Sequence, residues 1–192
     1  INDDIIGRIT FGKNIFSRSN EILVSNNVDK PAFGYSATIT SNKSVVDNSK
    51  PYCIVDNTDS FHEGDVVVVN NQGEVIFVYE ISSNHNAIMA TERCNHRCIM
   101  CPQPPIVQEK DKTPFNLKLI SLFDKGTEEI GITGGEPTLI GDNLFVLIKH
   151  IQKELPKTAI SILSNGVRFA DKEFAMKMAK CHHHDLQIDI PL

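Results

Sequence analysis

The chain has 192 residues, 41% of them hydrophobic and 22% charged, the composition of an ordinary soluble globular protein. Its formal net charge of −5 argues against a non-specific nucleic-acid binder, which would carry a basic excess. It holds no apolar run long enough to span a bilayer. Its acidic start, Ile1-Asn2-Asp3-Asp4, lacks the order of a signal peptide and any initiator Met, which reads as a chain cut or processed at its front.

Charge and texture change near residue 85. Residues 1–85 carry 6 basic and 11 acidic side chains, residues 86–192 carry 13 of each. In the front part, β-propensity-rich runs at 21–24, 35–40, 52–55, 66–69 and 75–79 are separated by polar turns, and Asn70-Asn71-Gln72-Gly73 reads as a hairpin loop. Residues 1–85 are therefore expected to form a small β-rich domain, joined to residues 86–192 through Ser82-Ser83-Asn84-His85-Asn86. Cys53 falls in one of the strand-like runs and reads as a core residue.

The second part alternates strands and helices. A short strand over 87–90 precedes Thr113-Pro114, an N-cap followed by Pro at the first helical position. That helix is predicted to run to about residue 123. A strand follows at 129–133, then Leu144, Leu147, Ile148, Ile151 and Leu155 at helical spacing, stopped by Pro156. A third strand at 159–163, a helix marked by Phe174 and Met178, and alternation at Leu186, Ile188 and Ile190 complete the pattern. Repeated βα units of this length predict an α/β parallel sheet, of which about four strands are present.

Five cysteines, three of them within eight residues, make a poor disulfide framework and read as metal ligands in a reducing compartment, which places the protein in the cytoplasm. Cys94, Cys98 and Cys101 follow the first strand of the second part in a C-x3-C-x2-C spacing. Three thiolates so close can each bind one iron of a cubane cluster and leave the fourth iron open to a small molecule. The competing reading is a zinc knuckle that takes His96 or a distant residue as fourth ligand. Thr133-Gly134-Gly135-Glu136-Pro137 follows the next strand. Its paired glycines allow close backbone approach to a ligand, although a plain strand-to-helix turn also favours glycine. Ser164-Asn165-Gly166 follows the third strand, and Asp189 lies near the end of the fourth. Parallel βα architectures bind ligands at the carboxyl ends of their strands, the rim on which all four features fall. Cys181-His182-His183-His184 invites a metal reading, with Cys181 as an auxiliary-cluster ligand, but adjacent residues on a regular element cannot all face one ion, and a helix end explains the run.

C-x3-C-x2-C after one strand with Gly-Gly-Glu-Pro after the next resembles the radical S-adenosylmethionine (radical SAM) superfamily. The resemblance implies a partial (βα) barrel in residues 86–192. It implies a 4Fe–4S cluster on Cys94, Cys98 and Cys101, and S-adenosylmethionine whose amino group is held by Gly134, Gly135 and Glu136. Met100 stands where the superfamily often has an aromatic residue against adenine. Asn165 and Asp189 are further candidates for ribose or substrate. Such an enzyme cleaves S-adenosylmethionine to a 5′-deoxyadenosyl radical with an electron from a flavodoxin- or ferredoxin-type donor. The superfamily barrel usually has six βα units, so the four here imply a fragment or a barrel closed by a partner. Thr91 to His96, Cys101-Pro102-Gln103-Pro104-Pro105, Gly131 to Leu139, Ser164 to Phe169 and Ile190-Pro191-Leu192 resemble the His-Xaa-Ser system radical maturases. That resemblance implies modification of a ribosomally made precursor peptide together with sibling maturation proteins, without nucleic acid or membrane as partner. A non-catalytic metal-binding scaffold or peptide-binding module is the alternative reading.

Overall fold

A computed structural model describes residues 4–12, 19–27, 34–46, 51–102 and 104–191. Gln103 and Leu192, which belong to the motifs quoted above, lie outside the described residues. The chain divides into two compact units, Ile1–Ser83 with Leu122–Asp124, and Asn84–Ser121 with Lys125–Leu192.

Among the described residues, the first unit holds a six-stranded mixed sheet. Its strands are β1 (Ile5–Thr10), β2 (Glu21–Val24), β3 (Ala37–Thr40), β4 (Tyr52–Ile54), β5 (Val66–Val69) and β6 (Val75–Tyr79), in the order β4-β3-β2-β1-β5-β6. The first four run parallel to one another, and β5 is antiparallel to both β1 and β6. The sequence pattern misses β1, because Gly7 and Arg8 interrupt its apolar run. Gly7 is needed for packing: a Cβ there would lie 2.7 Å from Ile22 Cγ1 on the neighbouring strand. Ile9, Ile22, Ile39, Val67 and Val69 form the core together with Phe61 and Cys53. Burial pushes the Cys53 thiol pKa up, and its Sγ lies 2.7 Å from the carbonyl oxygen of Gly73.

The second unit is α/β. Its elements are β7 (Asn86–Thr91), α1 (Thr113–Leu122), β8 (Glu129–Gly134), α2 (Asp142–Glu154), β9 (Ala159–Leu163), α3 (Lys172–Ala179) and β10 (Leu186–Asp189). The sheet order is β10-β9-β8-β7 and every pairing is parallel. Such connections need a crossover, which the intervening helices supply. Ile88, Ile130, Ile132, Ile160 and Ile162 are fully buried along the strands, as are Leu144, Leu147, Ile148 and Ile151 on α2. Short 3₁₀ turns at Pro137–Ile140 and Val167–Ala170 precede α2 and α3.

Two expected details move. Thr113 is already helical, and the Oδ1 of Asp111 two residues upstream accepts its N–H at 2.9 Å. The last strand ends at Asp189 rather than running to Ile190. Among the described residues no helix is long and apolar enough to cross a membrane.

Candidate cofactor site

β7 ends at Thr91, and the chain then runs through the three cysteines before returning to α1. Cys94 is half-buried, while Cys98 and Cys101 are exposed. The turn is held locally. The Cys101 N–H donates to the Cys98 carbonyl at 3.1 Å, and the His96 N–H donates to Cys94 Sγ at 3.4 Å.

The turn after β8 is fastened to the residues just ahead of the cysteines. The Gly135 N–H donates to the Thr91 carbonyl at 2.7 Å and the Glu136 N–H to the Arg93 carbonyl at 2.8 Å. Side chains are excluded there. Gly134 has φ +146°, and a Cβ on it would collide with the Thr91 carbonyl; a Cβ on Gly135 would collide with that of Arg93. The paired glycines are thus required by the approach of two backbone segments.

Glu136 lies elsewhere than its motif suggests. It is 1% exposed. Its Oε1 accepts from the Thr138 N–H at 3.0 Å, the Thr138 hydroxyl at 2.6 Å and the Ser164 hydroxyl at 2.8 Å. Its Oε2 accepts from the Asn165 N–H at 2.7 Å. This carboxylate ties the turn after β8 to the turn after β9. Asn165 in turn donates through Nδ2 to Asn95 Oδ1 at 2.7 Å, beside the first cysteine.

A cavity of about 770 Å³ opens at the carboxyl ends of the four parallel strands. Cys94, Cys98, Cys101, Gly134, Gly135 and Asn165 all line it, with Ser164 and Asp189 alongside. Its size is that of a small-molecule site. Two expected residues are not on its wall. Glu136 is turned inward onto its four donors, and Met100, at a turn of the cysteine loop, is 90% exposed. Arg97, His96 and Glu92 line the cavity although no role was expected of the first and third, and only proximity to the cysteines in the sequence could have pointed to them. Cys181 lies apart, in a groove of about 440 Å³ with His182 and His183, and burial pushes its thiol pKa up against the opposing pull of Lys149 and Lys177.

Among the described residues, no three Cys, His, Asp or Glu side chains converge as ligands of one ion. The family model of the radical SAM superfamily matches residues 88–191, from β7 to just past β10. The chain belongs to the radical SAM superfamily. The cofactors of this superfamily, a 4Fe–4S cluster and S-adenosylmethionine, fit the residues present: three accessible thiols of the right spacing facing a glycine-lined wall of one cavity.

Relatives resembling the chain include GTP 3′,8-cyclases. That of Desulforamulus reducens is 32% identical over 121 residues, covering 58% of this chain and 36% of the relative. That of Campylobacter jejuni subsp. jejuni is 34% identical over 113 residues, covering 56% and 34%. That of Petrotoga mobilis is 32% identical over 117 residues, covering 58% and 36%. The matched stretch of the chain thus spans about a third of the length of these relatives. No solved structure matches the chain significantly.

Proposed function

We propose that the second unit binds a 4Fe–4S cluster through Cys94, Cys98 and Cys101 and positions S-adenosylmethionine against it for radical chemistry on a peptide. Bound there, the cluster would supply the electron for reductive cleavage of S-adenosylmethionine, and the cofactor pair would provide radical hydrogen abstraction. The observation that carries this reading is that the cysteines, the paired glycines and Asn165 line one cavity at the strand ends. The chain's own part is binding and orientation. Gly134 and Gly135 present backbone, not side chain, to the cavity wall, which suits an amino-acid headgroup. Glu136 holds Asn165 in place through its backbone N–H, and Asn165 is the polar side chain of this turn that lines the cavity. A flavodoxin- or ferredoxin-type protein is the proposed electron donor, and sibling maturation proteins are proposed partners.

The peptide reading rests on the motif resemblance, and a precursor with His-Xaa-Ser repeats is its substrate. The second reading is a purine nucleotide, favoured by the identity with GTP 3′,8-cyclases.

Anaerobic reconstitution followed by S-adenosylmethionine and a reductant tests the proposal. The expected protein is brown, holds iron and sulfide near four each per chain, and forms 5′-deoxyadenosine. A His-Xaa-Ser peptide is expected to stimulate that product, and GTP is not. Zinc uptake without nucleoside product would return the chain to a metal-binding scaffold.

A further inference from the structure

Residues Thr91–Arg93 carry both halves of the site. The cysteines follow them directly, and the Gly-Gly turn hangs from their carbonyls. What holds this short stretch therefore sets the cysteines and the Gly-Gly turn together. Its support comes from the far end of the cysteine loop. Glu109 is a carboxylate whose side chain is 8% exposed. It accepts from the Thr91 hydroxyl through Oε2 and from the Glu92 N–H through Oε1 at 2.9 Å. The Thr91 Oγ1 accepts from the Arg93 N–H at 3.1 Å, so the same hydroxyl passes the tie onward. Lys112, three residues on, reaches Glu92 at 2.8 Å and Glu109 at 3.4 Å. The Ile106 N–H also closes on the Glu92 carbonyl, at 3.5 Å. The loop carrying Cys94, Cys98 and Cys101 is thereby pinned at both ends to one buried carboxylate.

We infer that Glu109 is a positioning residue for the cofactor site, fixing Thr91–Arg93 so that the cysteines and the Gly-Gly turn face each other. The inference rests on the proposed cluster reading and deepens it. Groups that orient metal ligands from behind commonly change metal affinity by about 10–100-fold when removed. Glu109 acts one step further back, through the peptide groups that launch the ligands.

The test uses the full chain, reconstituted anaerobically, as wild type, Glu109→Ala and Glu109→Gln. Iron release to a ferrous chelator is followed together with the paramagnetic resonance spectrum of the reduced cluster before and after adding S-adenosylmethionine. Glu109→Ala is expected to release iron about tenfold faster and to lose the spectral change on adding S-adenosylmethionine. Glu109→Gln keeps one acceptor oxygen and is expected to fall between the two. Asp65→Ala, which removes a buried carboxylate of the first unit, is expected to lower the melting midpoint while leaving both readouts alone. If Glu109→Ala does not fold, Glu109→Gln decides. Wild-type iron release together with the full wild-type spectral change on adding S-adenosylmethionine in Glu109→Gln overturns the inference while the cluster reading stands. A wild type that takes up no cluster overturns both.

Discussion

Among the described residues, Asp65 in the first unit and Glu136 in the second are carboxylates buried almost completely, and the two do different things. Asp65, in the first unit, is 1% exposed and accepts from the His62 N–H at 2.8 Å and the Ile81 N–H at 2.9 Å. It fastens the chain ends that flank the β5–β6 hairpin. Glu136, in the second, is equally buried, but its donors belong to two separate turns at the rim of a parallel sheet. A buried carboxylate therefore does not by itself mark a site. Its meaning comes from what its donors are attached to: a hairpin's flanks in one case, cavity-lining residues in the other.

The sharpest way to break this contrast is through the cysteines. Cys98→Ala is expected to abolish cluster uptake and 5′-deoxyadenosine formation with an unchanged far-ultraviolet circular dichroism spectrum, because Cys98 is exposed. Cys53→Ala, in the core of the first unit, is expected to leave iron content at wild type and lower stability only. Equal iron loss in both would erase the functional difference between the units.

Glu136→Ala comes next. It leaves several buried donors unsatisfied and is expected to cost about 3 kcal/mol in urea unfolding, with loss of S-adenosylmethionine binding. Asp65→Ala, with fewer donors stranded, is expected to cost about 2 kcal/mol and to leave cofactor binding intact.

Gly135→Ala is expected to cost about 1–3 kcal/mol through overpacking against the Arg93 carbonyl, and to weaken S-adenosylmethionine binding more than cluster binding, read by titration of the loaded protein. Gly73→Ala, where an added Cβ meets nothing within 4 Å, is expected to leave cofactor binding unchanged.

The smallest effect is one of pH. Burial alone would raise the Glu109 carboxyl, but hydrogen bonds from Thr91, the Glu92 N–H and Lys112 outweigh it and hold its pKa below the ordinary 4.5. A depressed carboxylate contributes stability that is present above the unfolded-state value and lost as pH falls through the folded-state one. The stability gap between iron-free wild type and Glu109→Gln is therefore expected to shrink as pH drops below about 4.5, measured by urea midpoints. A gap that stays constant down to strongly acid pH would show that the charge of Glu109 adds nothing to the hold on Thr91 and Glu92.

How much of this could be read from the residues differs between the units as well. Isoleucine-rich strands alternating with helices announced the parallel sheet of the second unit, since each element is long enough to show its own period. The cysteine spacing and the Gly-Gly turn pointed to one rim because both are local in sequence. The ties among them were not legible. Glu109 lies 18 residues from Thr91 in a polar stretch, and nothing in its surroundings distinguishes it from Lys110 or Asp111. The inward turn of Glu136 depends on donors from β9's end, 28 and 29 residues away. In the first unit β1 escaped notice because its central Gly-Arg pair breaks the apolar pattern, although Gly7 is there to let Ile22 pack.

One arrangement has a bearing on iron loss. The bonds that hang the Gly-Gly turn end on the carbonyls of Thr91 and Arg93, both upstream of Cys94, and none of them passes through sulfur. Loss of iron from the proposed cysteine ligands is therefore expected to leave the Gly-Gly turn in place.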